Sequence, residues 1–457
     1  MIAGGGIAGL SAAWKLRKSG VEDFVVLELE SEAGGNSRFG SNAATSYPWG
    51  AHYVPLPSKE SRAVRELFQD LGVITGTDAR GEPIYEERHL CSSPQERLFE
   101  RGRWHEDLFP TAEATPDDFA QLRRFRERMA SFRGKFAIPV DRSPREPEIL
   151  SLDGLTMRAW MERERFTSRP LFWYVDYACR DDYGCTLETT SAWAGIHYYA
   201  SRPEDEEAVT WPPGNGWIVE RLAAPLEQRL VTHALVLRVD GTDVDYLDSR
   251  TEERTRIRAK RVILALPRFV AQRVVAKPPA VDGFTYAPWV VANVTVDRVP
   301  EGRGVPPAWD NVIHGSPSLG YVTATHQSLR SRSGPSVLTW YLPCTGDPSS
   351  ERTALLNSSW EYWRDRVLAD LRLAHPDIDR IASRVDVMLY GHAMIRPVPG
   401  FLWGPSRAAA CEPVGPVSFA HSDLSGISIF EEAQYRGVRA AESVLRAMGR
   451  RYESSVE

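Results

Sequence analysis

The stretch MIAGGGIAGLSAAW at the start of the chain constrains the fold more than any other feature. Gly4, Gly6 and Gly9 fit the spacing G-x-G-x-x-G. Leu10, Ala13, Trp14 and Leu16 then recur at helical spacing, and the pattern closes at Gly20. FVVLELE follows as a buried strand, β-branched and apolar, whose acid Glu28 falls nineteen residues after Gly9. The order strand, glycine turn, helix, strand, acid predicts a dinucleotide site. Gly4 serves the tight turn, Gly6 lets a pyrophosphate approach the backbone together with Ile7 and Ala8, and Gly9 lets helix and strand pack closely. The helix N-terminus offers free N–H groups to phosphate, and Glu28 accepts from a ribose hydroxyl.

Only Met1, Ile2 and Ala3 precede the first glycine, whereas a typical strand takes about five residues. This predicts a natural chain that begins earlier. As it stands the sequence reads as cytoplasmic; a signal peptide removed ahead of Met1 would make the protein exported.

Directly after Glu28 comes LESEAGGNSR, with a second glycine pair, Gly34-Gly35, and Arg38. This extension is similar to the flavoprotein form of the motif, which implies FAD, with Gly35 beside it and Arg38 as a phosphate contact. Four further segments resemble the flavin-containing amine oxidase superfamily, the monoamine and polyamine oxidases and related desaturases. In YPWGAHYVPLP, Gly50, Ala51, His52 and Tyr53 match the stretch that passes the flavin ring. GNGWIVERLAAPLEQRL with VTHALVLRVD resembles the segment whose valine backbone pairs with adenine, here Val236. RAKRVILALP resembles the strand that leads out to the substrate domain at Pro267. EPVGPVSFAHSDLSGISIFEEAQYRGVRAAESVL resembles the closing motif. There Asp423 would bond the ribityl or phosphate region, and a helix starting near Ser428, Ile429 and Phe430 would aim its N–H groups at the flavin pyrimidine.

The resemblance implies an α/β protein with an α+β substrate lobe. A Rossmann-type FAD-binding domain would be assembled from discontinuous segments 1–60, 206–275 and 400–450. A mixed-sheet and helical substrate domain would be built from 61–205 and 276–399, with 451–457 as a tail. Helices are expected in TPDDFAQLRRFRERMASF and in SSERTALLNSSWEYWRDRVLADLRLA, and sheet in ANVTVD and SVLTWYL.

The implied activity is FAD-dependent oxidation of an amine, of which a polyamine or an amino-acid derivative is one form, with hydride passing to flavin N5. A carotenoid-type desaturase or isomerase and a non-catalytic flavin-binding partner stay open as alternatives. His52 and His392 are the candidate catalytic residues. Asn293 takes the position where many amine oxidases keep a lysine. Cys411 lies too close to Phe419 to match a flavin thioether, which implies non-covalent FAD. Trp403 and the aromatic runs LFWYVDYACRDDYG and SAWAGIHYYASR are candidate pocket walls. The acids of CRDDYG and SRPEDEEAVTW would attract a cation or simply face solvent.

Composition excludes other classes. The net charge is −6 with no basic tract, which argues against nucleic acid. No apolar run of about 18 residues exists, so no membrane span is expected. The five cysteines hold no CxxC pair, so neither a zinc or other metal site nor a disulfide framework is expected. The expected partner is a small-molecule substrate, and the sequence leaves the oligomeric state open.

Overall fold

The computed structural model describes residues 1–202, 207–279, 282–328 and 334–456. The first glycine turn leaves a five-stranded, all-parallel sheet. Its strands run in the order Leu230–Val231, Val26–Leu27, Ile2–Ala3, Val262–Leu264, Val417–Phe419. Each strand is short, and the carboxyl ends of all five lie level, with Val231 paired to Leu27, Leu27 to Ala3, Ala3 to Leu264 and Leu264 to Phe419. The expected strand FVVLELE pairs only over Val26–Leu27. Beyond it Glu28 makes two further backbone bonds, donating to the Val231 oxygen and accepting from Ala234 N, and the chain turns away.

Two helices cover one face of this sheet, Ile7–Lys18 and the closing helix Phe430–Ala447. They cross at Gly437, where a Cβ would lie 2.1 Å from the Ala8 carbonyl oxygen. Leu10, Ile263, Ala441 and Leu445 fill the layer between, and Val64, Leu67 and Phe68 of the helix Arg62–Asp70 complete it. A three-stranded antiparallel sheet, Ala234–Asp240, Asp243–Asp248 and Arg254–Arg258, packs over the opposite face through Val236 and Val244. Residues 453–455 dock back on the helices. Lys15 Nζ donates to the Glu453 carbonyl and pairs with Glu442 at 3.2 Å, both side chains buried.

The second layer is a seven-stranded mixed sheet. Its order is Ala382–Ile395, Tyr286–Val296, Ser336–Pro343, Tyr321–Thr323, Asp310–Ile313, Glu96–Glu100, Arg103–Glu106. Both segments expected as sheet lie in it. Asp310–Ile313 and Glu96–Glu100 pair in parallel, and the other neighbours are antiparallel. A helical cluster, Pro116–Ala130, Arg169–Tyr183 and Ala192–Ala200, packs beside it on Phe125, Val175 and Trp193. The first of these begins with a capping box between Thr115 and Asp118, as the Thr-Pro-Asp-Asp start predicts. The run 349–374 forms two helices, Pro348–Leu356 and Trp360–Arg372. Ser359 caps the second by accepting from Tyr362 N.

No disulfide forms: Cys91, Cys179, Cys185 and Cys344 are buried free thiols and Cys411 is half-buried. Among the described residues no helix is long and apolar enough to cross a membrane.

Candidate active site

The level carboxyl ends of the parallel strands bring the glycine turn, residues 265–268 and residues 420–423 to one edge. A Cβ on Gly4 would lie 2.3 Å from the Ala265 oxygen, and one on Gly9 would lie 1.9 Å from the Gly4 oxygen, so packing alone demands glycine at both. Gly6 differs. Its φ is −74°, ordinary for any residue, and its nearest Cβ neighbour would be Gly35 Cα at 3.9 Å. Glu28 is buried and holds the turn: Oε2 accepts from Gly5 N at 2.8 Å and Oε1 from Glu30 N at 2.9 Å. Gly34 N donates to the Gly5 oxygen, which packs the second glycine pair on the first. The helix Ile7–Lys18 has no side-chain cap and no acid in its first turn, so its free N–H groups face this edge unneutralised.

A cavity of about 870 Å³ lies between this edge and the mixed sheet, walled by His52, Tyr53, Trp289, Tyr341 and Phe430. Ala51 N donates to the Asn36 oxygen, while the Trp49 and Gly50 carbonyls accept from the hydroxyls of Tyr390 and Tyr341, which fixes the strip leading to His52. The His52 ring stacks on Tyr341 with centroids 4.9 Å apart and lies 5.3 Å from Trp309. Burial pushes its pKa down to about 4, so it is neutral near pH 7.

Acids enter the same space. Asp181, near the end of Arg169–Tyr183, borders the cavity and also a wider cleft that opens toward Tyr177, Trp309 and Asp310. Burial, then the charge of Asp182, raises Asp181 to about 7; burial, then the charge of Asp181, raises Asp310 to about 8. Asp182 is matched by Arg202 at 2.6 Å, with side chains 5% and 13% exposed. We expect Asp182→Ala to cost about 3–5 kcal/mol in urea unfolding, because it strands the Arg202 charge. The two raised carboxyls also set a pH dependence. The folded chain keeps protons at Asp310 that the unfolded chain has lost, between the ordinary value of 3.8 and about 8. Stability without ligand therefore falls as pH rises through that window. Asp310→Asn should flatten the fall of the thermal midpoint between pH 5 and 8, measured by calorimetry at about unit steps.

The structure brings together most, but not all, of the sequence candidates. Gly50, Ala51, His52, Ser428, Ile429 and Phe430 border one cavity. Arg38 is half-buried, within 3.3 Å of Glu30 and of the Gly35 oxygen. Val236 turns its side chain into the core with Ala3 and Leu27, leaving only its backbone, beside a bulge in the strand pairing. Pro267 caps the short helix Arg268–Val274.

Four candidates depart from expectation. Asn293 is not in the cavity: its amide donates to the Pro48 oxygen and accepts from Thr339, while Trp289 and Val291 of the same strand face the space. His392 stacks on Phe269 at 4.2 Å and borders the cavity no more than Asn293 does, although Tyr390, Ala393 and Met394 around it do. The Asp423 carboxylate is buried and taken up by Arg268 N, the Tyr286 hydroxyl and His421. Trp403 packs edge-on to Trp193 in the helical cluster rather than on the cavity. Of SRPEDEEAVTW, residues 203–206 lie outside the described residues.

Sequence reasoning missed Asp310, Tyr341 and Glu431. The first two sit on strands whose alternation marks faces, not neighbours 129 or more residues away; the third sits inside a motif read for its backbone.

Comparison with known proteins agrees with this layout. Residues 2–71 match the family described as NAD(P)-binding Rossmann-like domain. A comparison with curated protein sequences finds no match. Among solved structures, a double mutant of putrescine oxidase made in a redesign of cofactor binding superposes with a TM-score of 0.72 at 16% identity, covering 97% of this chain and 98% of that one. Wild-type putrescine oxidase bound to putrescine gives 0.68 at 18% identity, covering 97% and 98%. Cyclohexylamine oxidase from Brevibacterium oxydans IH-35A gives 0.68 at 16% identity, covering 98% and 99%. The chain thus joins a Rossmann-like dinucleotide module at its start to a second lobe, and over nearly its whole length has the fold of putrescine oxidase and cyclohexylamine oxidase.

Proposed function

We propose that the chain is an FAD-dependent oxidoreductase that oxidises amines and holds its flavin non-covalently. The observation that carries this reading is the cavity itself. It runs from the strip Gly50–His52 and the start of the closing helix to the raised carboxyl of Asp181, beyond which the wider cleft holds a second raised carboxyl, Asp310. The fit to the cofactor rests on the open space over Gly6, the uncapped N-terminus of Ile7–Lys18 and the buried Glu28. In this reading Gly4, Gly6, Gly9, Ile7 and Ala8 take the pyrophosphate, Glu28 the ribose, and Arg38 adds positive charge. Gly35, Val236, Pro267 and Asp423 shape the edge through backbone and packing. Gly50, Ala51 and His52, with Ser428, Ile429 and Phe430, would hold the ring.

Bound FAD would accept hydride at N5 from the carbon that bears the amine. The chain's residues do the rest. His52, Tyr341 and Trp289 exclude water and hold the carbon chain; His52, neutral near pH 7, adds no positive charge to repel an ammonium. Asp181 and Asp310 hold a second cationic group further out, which makes the substrate a diamine or polyamine. These acids disfavour a polyene substrate, which would cover them while offering neither charge nor hydrogen bond. No cysteine borders the cavity among the described residues, and Cys411 turns to the Leu424 carbonyl, which supports non-covalent binding. The test is anaerobic mixing of the FAD-loaded protein with monoamines, diamines and a carotene. Bleaching of the oxidised flavin band by diamines is expected. Bleaching by carotene alone, or by nothing, overturns the reading.

A further inference from the structure

Glu431 lies in the first turn of the closing helix and has two environments. On one side it borders the main cavity beside Tyr53. On the other it borders a small interior void with Gln434, one turn further along. Glu431 and Gln434 are 2% and 0% exposed, and the oxygens Glu431 Oε2 and Gln434 Oε1 have no hydrogen-bond partner. Gln434 Nε2 donates to the Ala63 oxygen at 2.9 Å, which fixes where its unpartnered oxygen points. Each such acceptor costs about 1–3 kcal/mol, and one bridging water would answer both. Ser61 and Pro139 also line the void, as do Arg62 and Arg142, which are exposed at the surface.

We propose that Glu431 is a proton relay: it takes the proton that a substrate ammonium sheds in the main cavity and passes it to water in the void, which Gln434 Oε1 would hold as an acceptor, and so to solvent. The inference rests on the amine reading above. In the step, one N–H bond of the ammonium breaks and its electron pair stays on nitrogen. The Glu431 carboxylate gains the proton as an O–H, leaving a neutral amine. Carboxylate and acid forms must both be accessible, and the surroundings allow it. Burial raises the Glu431 carboxyl to about 7; Arg202 opposes the rise, and Asp182 and Glu432 add to it. Glu60, Arg62, Arg142 and Tyr435 face the void from its outer side.

Two variants of the FAD-loaded protein test the relay, Glu431→Gln and Gln434→Met, the second leaving the main cavity untouched. Flavin bleaching by a diamine is followed from pH 5.5 to 9, where wild type should show a limb near pH 7. Proton uptake as the flavin is reduced by a viologen radical, which releases no proton of its own, is read with an indicator dye and needs no amine. Glu431→Gln should abolish the limb, and both variants should slow uptake roughly tenfold or more. If both keep wild-type uptake and Glu431→Gln keeps the limb, the relay is wrong. If no amine bleaches the flavin, the amine reading fails and the viologen arm alone decides the relay. If Glu431→Gln does not fold, Gln434→Met decides it.

Discussion

Gly6→Ala is expected to leave the apo fold standing and to weaken FAD binding at least about a hundredfold, which corresponds to roughly 2.7 kcal/mol. Alanine adopts the φ of −74° and ψ of −178° found at this position without strain, and its methyl group would meet nothing nearer than 3.9 Å. Replacing glycine by alanine ahead of a helix costs about 1 kcal/mol or less. The protein itself therefore does not require glycine at residue 6. A pyrophosphate lying against that backbone does, because the added methyl would occupy its place. Gly9→Ala is the contrast: with a Cβ 1.9 Å from the Gly4 oxygen, the helix would separate from the strand and the fold would fail with or without cofactor. Urea unfolding of the apo protein and a flavin-fluorescence titration separate the two cases. Unaltered FAD affinity in Gly6→Ala would place the dinucleotide elsewhere.

The second large effect concerns the acids. For the double variant Asp181→Asn with Asp310→Asn we expect KM for a diamine to rise roughly 30-fold, while a monoamine of equal length changes by less than about threefold. Two charges about 4–5 Å apart near a protein surface interact by about 3–4 kcal/mol. From this must be taken the cost of ionising a carboxyl whose pKa is about 8, about 1.4 kcal/mol at pH 7. The remainder, about 2 kcal/mol, is the 30-fold effect. Because the acids lie away from the reacting carbon, the limiting rate of flavin bleaching should move much less than KM. Stopped-flow reduction over a range of diamine concentrations gives both numbers. An equal loss for monoamine and diamine would remove the acids from substrate recognition.

How far the sequence reveals this arrangement depends on the range of each interaction. The glycine turn, its helix and Glu28 are legible because one local unit, within some thirty residues, fixes all of them. The Thr115 cap is legible for the same reason. Asp181 stands in a run already notable for its acids, but nothing nearby tells a solvated acid from one facing a cavity. Its partner across the cleft, Asp310, is placed by a strand that pairs with Glu96–Glu100, a long-range contact without local signature. Asn293 shows the opposite failure. Its strand is legible in ANVTVD, and Trp289, Val291 and Asn293 share one face of it. The cavity ends before Asn293, where Pro48 closes over the amide. Asp423 likewise lies in the expected motif, but its carboxylate is spent on the neighbouring strand end.

The visible spectrum of the chain after equilibration with excess FAD and gel filtration tests the central claim most directly. The account predicts one flavin per chain, released into the supernatant when the protein is denatured. Protein that is folded by circular dichroism and emerges colourless would contradict it.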